Sequence, residues 1–161
     1  MAMKRLLKEY KDNQLNPEYY FSGKPRENSF FTWDFFIIGP PGTIYEGGVF
    51  DGEIIFPRDY PNSPPKVKFT SPIIHPNIYS DGNVCISILH DGDDRYNYEK
   101  RSERWNPSHS FYSIMMSIIS LLNKPNFESP ANIDASVLWK KDFKSFKLQI
   151  YKIISDQQNN I

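Results

Sequence analysis

The spacing of apolar residues changes along the chain, and each spacing predicts a different element. Residues 2–12 carry apolar side chains at intervals of three and four, the period of one face of an α-helix. The pattern predicts an amphipathic N-terminal helix with one docked and one cationic face, although the basic residues alone would also suit a solvated surface. The apolar positions are Met3, Leu6, Leu7 and Tyr10, and the basic ones are Lys4, Arg5, Lys8 and Lys11.

Runs rich in aromatic and β-branched residues follow, separated by turn residues. The clearest are Phe30–Ile38 and Val49–Phe56, with a shorter run at Val67–Thr70 and a further one around Tyr19–Ser22. Short strands between glycine and proline turns favour an antiparallel meander over alternating strands and helices. Four prolines within residues 57–65 exclude regular structure there, because proline fixes φ and donates no backbone hydrogen bond.

The second half of the chain is first irregular and then helical. Residues 71–107 lack a long periodic segment, and such a stretch inside a compact domain is usually functional. Ser108 is predicted to cap a helix with the apolar stripe Phe111–Leu122, and a last helix is predicted over Trp139–Ile153. We therefore predict an α+β fold in one domain over residues 1–161.

Composition narrows the function classes. The formal net charge is zero, which gives no indication of a nucleic-acid partner or a membrane surface. No run approaches the ~18 consecutive apolar residues of a membrane span, and no secretory signal opens the chain, so a cytoplasmic or nuclear location is expected. One cysteine excludes an internal disulfide and a multi-cysteine zinc site, and with only three histidines beside it no metal is expected.

The functional interpretation depends on Cys85. A single buried cysteine is more often an inert small apolar side chain than a nucleophile. Here it follows the turn-rich tetrapeptide Ser80–Asn83, and Asn77 places an amide eight residues before the sulfur. A loop cysteine near a preset amide donor suits acyl transfer, because the charge that develops on the oxyanion needs a fixed donor.

Several short motifs resemble those of the ubiquitin-conjugating (E2) enzyme family. His75-Pro76-Asn77 with a cysteine eight residues later is the signature of that family, and further motifs accompany it in the family's order over essentially the whole chain. They are Tyr45–Phe50, Phe56–Pro61, Pro64–Val67 and Trp105–Pro107. The resemblance implies the family's UBC fold: an N-terminal helix, a four-stranded antiparallel meander and C-terminal helices.

The resemblance also implies a chemistry. Cys85 would accept ubiquitin from an activating (E1) enzyme, by exchange of one thioester for another. Asn77 would support the tetrahedral intermediate, either by donating to the oxyanion or by holding the active-site loop. His75 and Pro76 would be structural parts of that loop. A general base is not required, since an ordinary thiol with a pKa of ~8.5 is already partly thiolate at neutral pH.

The acceptor lysine is harder to activate, since an ammonium with a pKa of ~10.4 is almost fully protonated at neutral pH. Family members often use an acidic residue before the penultimate helix, but the corresponding position here holds Ser129, next to Glu128. Asp91, Asp93 and Asp94, in a long charged segment after the cysteine, are the alternative groups that would attract the ammonium.

That charged segment, with the flanking Cys85–His90 and the later Ser129–Ala135, resembles the G-type subgroup of the family. The subgroup builds lysine-linked polyubiquitin chains and includes enzymes of endoplasmic-reticulum-associated degradation. The resemblance implies a chain-building enzyme with proteasomal consequences, recruited by partners to the endoplasmic reticulum surface.

Partner surfaces follow from the same resemblance. The expected partners are ubiquitin, an E1, a RING-type E3 ligase and protein substrates, and no cofactor is expected because the E1 uses the ATP. The residues implied in E1 and E3 binding are Lys4, Arg5, Lys8, Asn62, Trp105, Pro107 and Ser108. The donor ubiquitin would lie against Ser113, Met116 and Ser117, although Met116 would also suit the core.

Three other classes stay open. A cysteine hydrolase would need a base within hydrogen-bond reach of the sulfur, for which His90 and His109 are candidates. A non-catalytic scaffold of the same fold would lack the cysteine. Conjugation of a different ubiquitin-like modifier is the nearest alternative.

Overall fold

The computed structural model describes residues 1–91 and 104–160. These residues form a helix, four strands, an irregular segment with one short 3₁₀ turn at Ser87–Leu89, and three further helices. The helices are α1 (Ala2–Leu15), α2 (Phe111–Asn123), α3 (Ile133–Lys141) and α4 (Phe143–Asn159), and the strands are β1 (Phe21–Arg26), β2 (Ser29–Ile38), β3 (Val49–Ile55) and β4 (Lys66–Phe69). The predicted α+β architecture is confirmed.

The four strands form one sheet in the order β1-β2-β3-β4, and each neighbouring pair is antiparallel. Along β2 the side chains alternate between the two faces of the sheet, as the pleat requires. Trp33, Phe35 and Ile37 are buried on the inner face, whereas Asp34 and Phe36 are exposed on the outer one. The inner face therefore carries the core.

The first two helices pack on this inner face through aromatic side chains. Tyr10 of α1 lies edge-on to Trp33, with ring centroids 5.9 Å apart. Phe111, at the start of α2, lies 5.2 Å from the same indole. A Cβ added to Gly23 of β1 would come within 2.5 Å of the Phe111 ring, so glycine is what lets α2 approach the sheet so closely.

The predicted cap of α2 is wrong by two residues. The N-cap is Ser110, whose hydroxyl accepts from the Ser113 N–H while the Ser113 hydroxyl accepts from the Ser110 N–H. Ser108 is instead held by the side chain of Asn106, which accepts from its N–H at 3.0 Å and from its hydroxyl. A local turn therefore competes for the first serine, and the second one caps the helix.

The predicted last helix is two helices. Asp142 ends α3 and begins α4, where its carboxylate accepts from the N–H of Ser145 at 3.1 Å. The apolar spacing continues across the break because both helices bury the same side of the chain, with Trp139 and Phe146 in ring contact at 4.9 Å. Apolar periodicity alone does not show such a break.

Candidate active site

The loop that carries Cys85 is docked against β4. The Val84 N–H donates to the Val67 carbonyl at 3.0 Å, and the Phe69 N–H donates to the Gly82 carbonyl at 2.9 Å. Gly82 has a φ of +98°, and a Cβ there would lie 2.1 Å from the Phe69 carbonyl oxygen. Only glycine can make this turn, which fixes the direction from which the chain reaches Cys85.

Asn77 joins this loop to the segment after α2. Its backbone carbonyl accepts from the Cys85 N–H at 2.9 Å. Its side-chain amide donates to the Asn126 carbonyl and accepts from the Asn126 N–H, both at 2.8 Å. The two backbone partners fix the orientation of the amide, and the side chain is only 2% exposed. Of the two roles considered for Asn77, this geometry favours holding the loop.

His75 is buried and fully engaged. Its Nδ1 accepts from the Asn77 N–H at 2.9 Å, so its Nε2 carries the proton and donates to the Leu121 carbonyl at 2.7 Å. Burial lowers its pKa to about 4, because a charged imidazolium would lose its hydration there. A neutral ring with both nitrogens occupied cannot serve Cys85 as a base.

Pro76 anchors the other side of the loop. Its carbonyl oxygen accepts from the N–H groups of Ala131 and Asn132, at 2.9 and 3.0 Å. Asn132 is itself the N-cap of α3, with its side chain accepting from the Ala135 N–H. Three consecutive residues of the predicted motif therefore bind three different parts of the helical half.

Cys85 is half-buried and opens into a cleft of about 360 Å³. One wall is the cysteine loop and the following 3₁₀ turn, and the other is the last half of α2 with the segment behind it. The polar residues that line it are Asn77, Ser87, His90, Ser117, Ser120, Lys124, Asn126 and Ser129. Of the two histidines considered for a hydrolase, only His90 lines this cleft, while the ring of His109 lies 3.2 Å from the Arg104 carbonyl.

The acidic residues considered for lysine activation lie at different places. Ser129 lines the cleft, whereas the neighbouring Glu128 is exposed and not part of the lining. Asp91 is exposed at the end of the first described segment. Asp93 and Asp94 lie outside the described residues. The Trp105 N–H donates to the His90 carbonyl at 2.8 Å, so the two ends of the charged segment are adjacent.

The described part of the chain holds no group of three or more histidine, cysteine or acidic side chains that could bind a metal ion. None of its helices is both long enough and apolar enough to cross a membrane.

Comparison with known proteins decides the family. The model of the family described as "Ubiquitin-conjugating enzyme" matches residues 5–154. The chain belongs to the ubiquitin-conjugating enzyme family. It is 51% identical over 155 residues to Ubiquitin-conjugating enzyme E2 7 of Arabidopsis thaliana, covering 95% of this chain and 93% of the relative.

Other relatives of this E2 enzyme are similarly close over most of their length. Ubiquitin-conjugating enzyme E2 G2 of Homo sapiens is 51% identical over 154 residues, which are 94% of this chain and 91% of the relative. Ubiquitin-conjugating enzyme E2-18 kDa of Schizosaccharomyces pombe is 49% identical over 148 residues, which are 91% and 89% of the two chains. The hydrolase and the non-enzymatic alternatives therefore fall away.

The basic face of α1 in this E2 enzyme is smaller than the sequence suggests. Lys4 and Lys8 are exposed. Arg5 is half-buried, and one of its terminal nitrogens donates to the carbonyls of Pro107 and His109, at 2.9 and 2.8 Å. Arg5 thus joins α1 to the loop before α2 instead of standing free beside the two lysines.

Glu9 is a residue that the sequence pattern did not single out. Its buried carboxylate accepts from Arg5 Nε at 2.8 Å, from the Tyr60 hydroxyl at 2.5 Å and from the Phe111 N–H at 2.7 Å. Burial, with the Glu9 charge, raises the pKa of Tyr60 far above its ordinary value, so the hydroxyl stays a donor. The available signal was an acid one helical turn after Arg5, among the apolar positions of α1.

The residues considered for an E3 platform divide into exposed and structural ones. Asn62, Pro107 and Ser108 are exposed. Trp105 is 7% exposed, and its Nε1 donates to the Pro61 carbonyl at 2.8 Å. The indole therefore fixes the position of the proline-rich turn relative to the loop before α2, and the exposed residues lie on the two segments that it joins.

The donor-ubiquitin residues lie on α2. Met116 is 42% exposed, so its alternative assignment to the core is wrong. Ser117 lines the Cys85 cleft. The hydroxyl of Ser113 belongs to the capping box at the start of the helix, where it accepts from the Ser110 N–H at 2.8 Å.

Proposed function

We propose that this E2 enzyme accepts ubiquitin from an E1 as a thioester on Cys85 and passes it, with an E3, to lysines of substrates or of ubiquitin. The observation that carries the proposal is the place of the chain's one cysteine. Cys85 is half-buried and lines an open cleft. Its N–H donates to the Asn77 carbonyl, and the side-chain amide of Asn77 binds Asn126 on the opposite wall. The candidate nucleophile is therefore held in place, and the cleft is open enough for the flexible C-terminal tail of ubiquitin to reach it.

Two acyl transfers make up the reaction. In the first, the Cys85 thiolate attacks the carbonyl carbon of the E1-bound thioester, a new C–S bond forms, and the E1 thiolate leaves. In the second, a deprotonated lysine attacks the same carbon, a C–N bond forms, the nitrogen loses its extra proton to water, the C–S bond breaks and the Cys85 thiolate is regenerated. The first step needs no base beyond the ionisation of the thiol, which fits the occupied, neutral ring of His75.

The second step needs a group that draws the proton of the acceptor lysine or attracts its ammonium. Asp91, exposed just after the cleft, and the following Asp93 and Asp94 are our candidates. Glu128 and Ser129, beside the Asn126 anchor, are the alternative. Negative charge near the approach path of an ammonium holds it close to the thioester.

The chain-building role rests on the relatives named E2 G2 and on the charged segment. We infer lysine-linked chains that mark proteins for proteasomal degradation, a RING-type E3 as the partner at Asn62, Pro107 and Ser108, and no cofactor in the chain itself. A cytoplasmic or nuclear location, with recruitment to the endoplasmic reticulum surface by partners, belongs to the same proposal.

Charging with E1, ATP and ubiquitin tests the central step. Non-reducing gels should show an adduct of one ubiquitin that disappears with dithiothreitol and is absent in Cys85→Ala. Parallel reactions with other ubiquitin-like modifiers and their own E1 enzymes provide the specificity control. Charging by another modifier in preference to ubiquitin, or by none of them, would overturn the proposal.

A further inference from the structure

We propose that Lys124 is a self-modification site, where the Cys85 thioester transfers its ubiquitin to the same polypeptide. This inference rests on the proposed function, because it needs the thioester. Lys124 lines the cleft that holds Cys85, and its side chain is exposed. Among the described residues it is the one lysine in that lining.

The backbone around Lys124 is fixed relative to the loop that carries Cys85. Lys124 is the C-cap of α2, and its N–H donates to the Ser120 carbonyl at 2.9 Å. Pro125 follows, which restricts the preceding residue to extended backbone. Asn126 is then bound on both backbone groups by Asn77, whose own carbonyl accepts from the Cys85 N–H. Two peptide bonds and the hydrogen bonds of Asn77 therefore connect the backbone of Lys124 with that of Cys85.

Lys124 is also available. Within residues 1–91 and 104–160 its ammonium forms no ion pair, in contrast to Arg5 and Arg26, which are held by carboxylates. A cation at a helix C-terminus is commonly found for its favourable interaction with the helix dipole alone. If Lys124 only interacted with the helix dipole, it would stay unmodified. If it is the acceptor, it carries ubiquitin on Nζ, so the product distinguishes the two roles.

The step is a balanced aminolysis. Lys124 loses a proton to water, and its Nζ attacks the thioester carbonyl carbon. The C–N bond of an isopeptide forms and the C–S bond breaks. The Cys85 thiolate that leaves takes up the second proton released from Nζ, which regenerates the free thiol. Because both groups belong to one molecule, the first-order rate constant should not depend on enzyme concentration, and the high effective concentration favours this lysine over others in trans.

A single-turnover experiment tests the site. The full chain is charged with E1, ATP and ubiquitin, the E1 is stopped with EDTA, and the thioester is left without an added acceptor. We expect an adduct that resists dithiothreitol, forms with a first-order rate at two enzyme concentrations tenfold apart, and yields a Gly-Gly remnant on Lys124 after trypsin.

Lys124→Arg should lower the rate of adduct formation, measured per thioester present, by about tenfold or more, since intermolecular lysines lack the effective concentration of a neighbour. Lys144→Arg is the matched control, an exposed lysine on α4, and should leave the rate unchanged. A remnant on another lysine, or an apparent first-order rate constant that rises in proportion to enzyme concentration, would overturn the inference. A normal thioester without any resistant adduct refutes Lys124 alone, whereas absence of the thioester refutes the proposed function itself.

Discussion

At the scale of single residues, Asn77 makes the contacts on which the cleft depends. Asn77→Ala removes the partners of both backbone groups of Asn126. We expect a lower free energy of unfolding, since the two part-buried hydrogen bonds that are lost contribute about 0.5–1.5 kcal/mol each. We also expect slower discharge to free lysine. Urea unfolding and single-turnover discharge measure the two effects.

Asn126→Ala is the matched control for that prediction, because it keeps the two backbone groups that Asn77 binds. It loses only the side-chain bond to the Glu128 N–H, an exposed contact. Its stability should stay close to that of the unmodified chain. If Asn77→Ala slowed discharge while the unfolding free energy stayed constant, the amide would act on the oxyanion and not through the loop.

His75 predicts a pH dependence of stability. Its pKa is about 4 in the fold, against ~6.5 for an ordinary histidine, so below pH 6.5 the unfolded chain binds a proton that the folded chain does not. The stabilisation is complete above pH 6.5 and is lost as the pH falls towards 4. Between pH 7 and 4.5 we expect the unfolding free energy to fall by about 2–3 kcal/mol from this group.

The difference in unfolding free energy between the unmodified chain and His75→Gln isolates that contribution, because the carboxylates contribute equally to the pH dependence of both proteins. Urea unfolding at several pH values should give a difference that narrows as the pH falls from 7 to 4.5. A difference constant with pH would show that His75 is not held neutral.

At the scale of elements, the loop between β4 and Cys85 depends on one glycine. Gly82→Ala combines positive φ with a Cβ 2.1 Å from the Phe69 carbonyl oxygen, so the loop must move. We expect a destabilisation of more than the ~1 kcal/mol that positive φ alone costs, together with slower E1 charging. Thermal unfolding and a charging time course measure both.

Gly42→Ala separates the two causes, because Gly42 also has positive φ (+79°) but nothing within 4 Å of an added Cβ. Gly42→Ala should lose only the stability that positive φ costs, and E1 should charge it with ubiquitin at the ordinary rate. Equal effects of the two substitutions would mean that the close approach to β4 does not matter.

The junction between α1, the proline-rich turn and α2 depends on Glu9. Glu9→Ala leaves Arg5, the Tyr60 hydroxyl and the Phe111 N–H without their common acceptor. We expect a loss of about 2–4 kcal/mol in the free energy of unfolding, since a buried charge partner is removed. Asp12→Ala, on the exposed side of the same helix, should change it by less than about 0.5 kcal/mol. Similar losses in both variants would indicate an effect on helix propensity.

At the scale of the whole molecule, the charged segment is expected to act in the second transfer only. The His90 carbonyl and the Trp105 N–H are hydrogen-bonded, so a short glycine linker can replace Asp91–Glu103 without separating the ends. Charging by E1 should be unchanged, because Cys85 and its loop are intact, while discharge to lysine should slow. Equal loss of both steps would contradict a role in the second transfer.

Most elements were predictable because local periodicity reflects burial. The alternation in β2 and the apolar stripe of α2 follow from which side of each element faces the core. The cap at Ser110 and the break at Asp142 were not predictable in this way, since neighbouring polar residues compete for the same backbone groups.

The sequence alone singled out the candidate nucleophile and its loop, because the one cysteine follows Asn77 at the spacing of the family motif, in a segment rich in turn residues. The surroundings of Cys85 and its loop depend instead on how distant segments pack. The tertiary structure placed Lys124 in the same cleft as Cys85, and it placed Glu9 between three segments. These contacts join residues far apart in the chain, and long-range packing of the helices on the sheet, which no local pattern records, brings them together.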